Sequence, residues 1–492
     1  MASYKNITII ILYLILVALH LTASWHQTAA HIIPDEVSYL AQAKYFSGKE
    51  THPDTSEFLK QESSFSDSDI LPDTKNWHYY HFGYPLLVSP IYWLTDSPST
   101  AYKGIMVFNS FLLSSLFLII FAWIKKIKEL DFYTNISISF IVSIYPAYII
   151  QSHIGWAENA LIPGFALCCL LLTHHLKTHS IKSILLFAFT AGLQYTIHPR
   201  GLASALAAML FLIGLMLVDK DRWRHSILGL CIISGVVIST KLIADEMASL
   251  MNTHTQNNTV ITNLFSILEF EFFTAIIGNL LYLTLSTLGL FLFGLPEALK
   301  QVASQARTSI KNLLTNEYAG SLVYVLIASS FTFGLSIIFL GRNETWHETS
   351  KSLDFFLYGR YNETFLSIFI TLGLLWLCDP QQPIRKHSKI FKAAFWLLST
   401  VCLVYFLYLL DYQYLRSIHS PGLFPWYFLS TILESRYSNA IIFFAPLLWT
   451  WLTLQLFIEN TRKGLFTAAA YFLFIDISLI IYITPELQII TG

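Results

Sequence analysis

The sequence predicts an all-α integral membrane protein, a bundle of about 13 transmembrane helices with one long loop after the first. Three observations predict it. Of 492 residues, 54% are hydrophobic and 12% are charged, against roughly 25% charged in an average soluble domain. Apolar runs of about 20 residues recur along the whole chain, each long enough for a helix to cross a hydrocarbon core about 30 Å thick. Basic residues crowd into alternate connections between those runs, as the positive-inside rule requires.

Read in order, the apolar runs place helices near 7–24, 104–124, 135–152, 158–176, 183–198, 200–218 and 226–244, then near 271–295, 321–341, 360–378, 391–411, 437–457 and 465–484. The first is read as an uncleaved anchor, since cleavage after it would leave Asp35 and Glu36 beside a free terminus. Residues 1–492 then form one polytopic domain: a loop over 24–103 with short helices lying on the membrane surface, core helices over 104–218, and further helices over 226–492. With an inside N-terminus, the inside loops collect Lys5, Lys125, Lys126, Lys128, Lys177, Lys182, Lys220, Arg222, Arg224, Lys300, Arg307, Lys311, Arg385, Lys386, Lys389, Lys392, Arg462 and Lys463. The long loop and the loops near 245–270, 342–359 and 412–436 then face outward.

These features exclude a soluble protein. A formal net charge of −1 gives no basic field for nucleic acid. The five cysteines lie in or at the ends of apolar segments without CxxC spacing, which fits packing rather than a metal or disulfide framework.

Five polar constellations fall on the outward side. The first is His31-Ile-Ile-Pro34-Asp35-Glu36-Val-Ser-Tyr39. Pro34 suits a first helical position, and Tyr39 falls one turn after Asp35 on the same face. Two acids can simply stabilise a helix N-terminus; a partly dehydrated carboxylate there is also a candidate general base. The second, Trp77-His78-Tyr79-Tyr80-His81-Phe82-Gly83-Tyr84-Pro85, reads either as an interfacial aromatic belt or as a cradle for sugar or phosphate. The third, Gly155-Trp-Ala-Glu158-Asn159, puts an acid at the start of a membrane helix, where it reads either as a helix-start acid or as a functional group, the default for an ionisable residue at such depth. The fourth, Tyr195-Thr-Ile-His198-Pro-Arg200, offers a planar guanidinium suited to phosphate, or one reaching for lipid headgroups. The fifth, Asp354-Phe-Phe-Leu-Tyr358-Gly359-Arg360-Tyr361-Asn362-Glu363, combines an Arg-Tyr pair with flanking acids. A second Arg-Tyr pair, Arg436-Tyr437, opens the run 437–457, so the pair by itself is not unique; the first is weighted more for its acids Asp354 and Glu363.

Pro34-Asp35-Glu36 with Tyr39 and Ala43, Tyr80-His81-Phe82-Gly83-Tyr84-Pro85 with Pro90, an outside Glu158, His198-Pro199-Arg200 and Tyr358-Gly359-Arg360-Tyr361 together resemble the GT-C glycosyltransferases. The similarity is to the family 39 branch, which holds protein O-mannosyltransferases and bacterial lipid A aminoarabinose transferases. It covers the first 200 residues and the stretch around 354–363. Where relatives often carry Pro-Pro-Gly before the second crossing, this chain has His81-Phe-Gly83.

The resemblance implies a GT-C-like bundle and an inverting transferase that uses a polyprenyl-phosphate sugar as donor and a glycan, lipid or protein as acceptor. It places the catalytic base on Asp35, with Glu36 beside it. Glu158 is expected to position acceptor or sugar. Arg200, Arg360, Tyr361, His78, His81, Tyr39, Asp354 and Glu363 are the expected donor-phosphate and substrate contacts. No cofactor is required, a divalent cation can be accommodated, and the expected setting is a bacterial inner membrane with an extracytoplasmic site. The rival readings are a transporter or lipid flippase and a non-catalytic scaffold. Asn343-Glu-Thr345 and Asn362-Glu-Thr364 would be glycan acceptors only in a secretory membrane.

Overall fold

A computed structural model describes residues 2–24, 34–51, 81–250, 270–340, 357–379, 388–408, 420–423 and 438–490. No strand occurs among them. The helices are α1 (Ala2–Ser24), α2 (Pro34–Phe46), α3 (Gly83–Trp93), α4 (Pro98–Ile127), α5 (Phe132–Ser143), α6 (Pro146–Ser152), α7 (Glu158–Thr178), α8 (Ile181–Ile197) and α9 (Leu202–Val218). They continue as α10 (Trp223–Leu250), α11 (Phe270–Ser286), α12 (Leu290–Ala306), α13 (Ile310–Thr315), α14 (Glu317–Leu340), α15 (Glu363–Leu377), α16 (Ser388–Tyr408), α17 (Ser438–Glu459) and α18 (Thr461–Ile490).

Local chemistry sets the boundaries. Ser97 caps α4 by accepting from the Thr100 amide, with Pro98 behind it at the first position. Asp131 caps α5 by accepting from the Tyr133 and Thr134 amides at 3.0 and 3.1 Å. Pro146 opens α6 after a break at Ile144 and Tyr145, where the chain bends by 53°.

Seven described helices are long and apolar enough to cross a membrane, or nine if each bent pair is one span. Ile181–Ile197 and Glu363–Leu377 are shorter apolar helices. The expected count of about 13 is therefore not reached among the described residues. The largest departure is the run 271–295, read above as one helix. It is two, α11 and α12, meeting at 105°. Leu288 and Gly289 both take positive φ there, 51° and 73°, a conformation glycine accepts and leucine resists. Exposed Ile7, Ile10, Leu14, Leu206, Leu210, Ile238 and Leu242 give the bundle an apolar outer face, the arrangement expected where lipid is the solvent.

Within the stretch 24–103 the described residues form two short helices, α2 and α3. Glu36 through Ala43 are all buried, because α3, α4 and the turn before α7 enclose them: Tyr39, Leu40, Tyr84, Tyr102 and Trp156 form one apolar cluster. Ala244, Met247 and Ala248 of α10 close over Tyr45 and Phe46 at its end.

The most extensive packing joins α12 and α15. A Cβ on Gly294 would strike the Phe369 carbonyl, and one on Gly373 would strike the Leu290 carbonyl. Small residues at such a crossing let backbones approach where lipid offers no hydrophobic drive to association. Gly373→Leu should cost roughly 1–3 kcal/mol through forced separation, read as a lowered thermal midpoint in detergent; an unchanged midpoint would contradict the contact.

Candidate active site

Four chain segments meet at one place. The first turn of α2 carries Asp35, and Trp156 stands in the turn that ends at Glu158, the first residue of α7. A 3-10 turn over Pro199–Gly201 carries Arg200. The segment before α15 carries Arg360 and Tyr361. The Arg200 turn is set locally: His198 is extended, and its Nδ1 accepts from the Arg200 amide at 3.0 Å and from Arg200 Nε at 3.2 Å. Those two donors fix Nδ1 as the acceptor, which leaves the imidazole proton on Nε2 of the neutral ring.

Glu158 is the centre. Its Oε1 accepts from Arg200 Nη2 and from Arg360 Nε, the latter at 2.5 Å. Arg360 Nη2 lies 2.7 Å from Asp35 Oδ2. The Arg360 guanidinium stacks 3.9 Å from the Trp156 ring centre, and Arg200 stacks 4.1 Å from that of Tyr361. Two cations thus face two anions and two aromatic planes, the combination that makes ionised groups tolerable away from water. Glu158 is wholly buried, while the Asp35 side chain keeps 14% of its surface exposed. Among the described residues, Arg200 Nη1, Glu158 Oε2 and Trp156 Nε1 are buried without a hydrogen-bond partner. Such groups are costly unless something satisfies them, and the two donors among them suit a ligand rich in acceptors.

The other expected residues distribute around this cluster. Glu36 Oε1 accepts from the Tyr102 hydroxyl at 2.8 Å and the Gly155 amide at 2.5 Å. It therefore ties α2 to α4 and to the turn carrying Trp156, instead of receiving either arginine on that oxygen. Tyr39 packs edge-on against Tyr84 at 5.5 Å; burial pushes its hydroxyl pKa up, and Glu158 and Asp35 add to the shift. His81 Nδ1 lies 2.5 Å from the Tyr195 carbonyl, with its ring against the Tyr195 ring. It braces the α8 end just before Arg200. A Cβ on Gly83 would meet the Thr196 backbone at 2.6 Å, so the His81-Phe-Gly83 sequence fits this close approach. Glu363 sits apart, with its carboxylate held by the Tyr145 and Tyr282 hydroxyls. Asn362 is buried, with Nδ2 bonded to Asn279 at 2.7 Å, which leaves it no access to a glycan. His78, Asp354, Asn343 and Arg436 lie outside the described residues.

Sequence reasoning missed Trp156, Tyr102 and Tyr282. Trp156 stood inside a quoted motif, and an aromatic two residues before a buried acid was the available signal. Tyr102 closes the loop before the second apolar run and Tyr282 sits within a later run, neither with such a signal. Among the described residues no group of three or more His, Cys, Asp or Glu is arranged to hold a metal.

Removing Glu158 should be the most damaging single change, because it leaves two buried guanidinium groups short of one carboxylate. Glu158→Ala should cost about 3–5 kcal/mol, read as loss of folded protein on size-exclusion chromatography; a monodisperse variant of unchanged thermal stability would refute the network. Burial lowers the His81 pKa to about 4 from 6.5. The unfolded chain then binds this proton first, so stability is full above about pH 6.5 and falls as pH drops to 4, by roughly 3 kcal/mol for this group. His81→Gln should flatten that part of a stability-against-pH curve, and an unaltered slope would exclude His81 as its source.

No family model and no curated relative matches the sequence. Solved structures do. The crystal structure of ArnT from Cupriavidus metallidurans bound to undecaprenyl phosphate aligns over 99% of this chain and 78% of its own, with a TM-score of 0.52 at 11% identity. ArnT from the same organism in the apo state aligns over the same shares, with a TM-score of 0.47 at 12% identity. The chain is an integral membrane protein with the fold of ArnT.

Proposed function

We propose that the chain transfers a sugar from a polyprenyl-phosphate donor to an extracytoplasmic glycan, lipid or protein, with inversion at the anomeric carbon. The observation that carries this reading is the Asp35–Arg360–Glu158–Arg200 network, in which a partly exposed carboxylate stands beside two buried guanidinium groups. The undecaprenyl phosphate held by ArnT supports the choice of lipid carrier.

Asp35 takes the proton from the acceptor hydroxyl or amine as its oxygen or nitrogen attacks the anomeric carbon. The bond from that carbon to the donor phosphate oxygen breaks, and polyprenyl phosphate leaves with the electron pair. Arg360 and Arg200 face the charge that develops on the leaving phosphate, and donors preorganised for such charge are usually the largest catalytic contribution. Glu158 holds both arginines so that they need not reorganise. The Tyr361 ring, its centre 4.1 Å from the Arg200 guanidinium carbon, supports that side chain from beneath. A phosphate arriving at Arg360 competes with Asp35 for the same guanidinium, and so leaves the carboxylate free to accept a proton.

Transfer from a panel of radiolabelled polyprenyl-phosphate sugars, in membranes holding wild type or Asp35→Asn at matched expression, tests the reading. Loss of at least about 100-fold is expected in the variant. Transfer undiminished by the substitution overturns the role of Asp35, and absence of transfer from every donor overturns the activity.

A further inference from the structure

Arg360 and Tyr361 lie between three residues gripped from the opposite side. The grip comes from α11. Tyr282 is fully buried, and its ring lies so close to Gly359 that a Cβ at 359 would fall on the ring itself. Its hydroxyl donates to Glu363 Oε1 and accepts from the Gly422 amide at 2.9 Å. One turn earlier, Asn279 Oδ1 accepts from Asn362 Nδ2 at 2.7 Å and from Ser336 Oγ at 3.1 Å. The Tyr145 hydroxyl donates to the same Glu363 oxygen at 3.2 Å, and the Tyr148 hydroxyl to the Glu363 carbonyl at 3.4 Å. A turn closes the segment, with the Asn362 amide on the Gly359 carbonyl at 2.8 Å.

Gly359, Asn362 and Glu363 are thus fixed to α11 and α6, while the two residues between them reach Asp35, Glu158 and Arg200. The pattern matches what a phosphate site needs from its supporting shell: a rigid backbone under a long, flexible side chain. A guanidinium on an unsupported loop would lose rotamer freedom on meeting a ligand, at a cost in affinity.

We infer that Tyr282 is the positioning residue of this site, holding Arg360 and Tyr361 in place for an anionic phosphate ligand through Gly359 and Glu363. The inference rests on the function proposed above. Tyr282 touches no reacting atom, so its effect travels through Arg360. A residue of merely general structural value would change stability without that dependence.

The test uses the full chain in nanodiscs, with undecaprenyl phosphate as the probe. Tyr282→Phe keeps the ring on Gly359 and removes both hydroxyl bonds. Two measurements are made on it: hydrogen exchange of the Asn362 and Glu363 amides, and the dissociation constant for undecaprenyl phosphate alone and in an Arg360→Gln background. Exchange should speed up about tenfold, and binding should weaken about tenfold in the otherwise wild-type chain but by less than about twofold on top of Arg360→Gln. Unchanged exchange overturns the inference, and so does a full additive loss in the double variant. If Arg360→Gln binds the lipid as wild type does, the phosphate reading fails, and the exchange rate alone decides whether Tyr282 holds the segment. If Tyr282→Phe does not fold, Glu363→Gln decides by the same two measurements, with about threefold changes expected because an uncharged acceptor remains.

Discussion

The whole cluster depends on one oxygen, Oε1 of Glu158, which receives both Arg200 and Arg360. A guanidinium removed from water is stable only when paired in good geometry. Here the pairing recruits four distant stretches of chain. Once Glu158 opens α7 beneath the turn carrying Trp156, the 3-10 turn must bring Arg200 to it, and the segment before α15 must bring Arg360. The remaining contacts follow as support: the imidazole of His198 under Arg200, the ring of Trp156 under Arg360, and the carboxylate of Glu36 holding the Gly155 amide in that same turn.

The fold serves this convergence in a particular way. Helix α2 is wedged among α3, α4 and α10, so Asp35 stands on a buried element even though its own side chain keeps contact with solvent. The 105° break between α11 and α12 serves it as well: α12 turns away to pack on α15 through Gly294 and Gly373, while α11 keeps Asn279 and Tyr282 against the start of α15. Two consecutive helices thereby brace different parts of the same partner.

Much of this was legible in the sequence, and the rest was hidden for identifiable reasons. Asp35, Glu158, Arg200 and Arg360 were conspicuous because an ionisable residue at the end of an apolar run is costly, and charge placement put all four on one side. Their pairing was not legible, since no spacing rule links residues 35, 158, 200 and 360. Glu36 stood out as strongly as Asp35, and only the direction of its side chain, toward Tyr102 and Gly155, separates them. The break at Leu288 escaped because hydropathy sees leucine as helix-compatible, and a positive φ leaves no mark on composition. Tyr282, in the run Asn279-Leu-Leu-Tyr282-Leu-Thr, reads as an ordinary aromatic of a membrane helix. Its importance comes from a glycine 77 positions later, 359 against 282.

The shared oxygen also limits how such a site can drift over generations. Were each arginine paired with its own acid, the pairs could be exchanged one at a time, each through a mild intermediate. With both on Glu158, any replacement at 158 is judged at once against two partners in separate segments, and neither arginine can shorten to lysine without unbalancing the other. Substitutions at 158, 200 and 360 should therefore be inherited as a block, while the apolar faces around them vary freely.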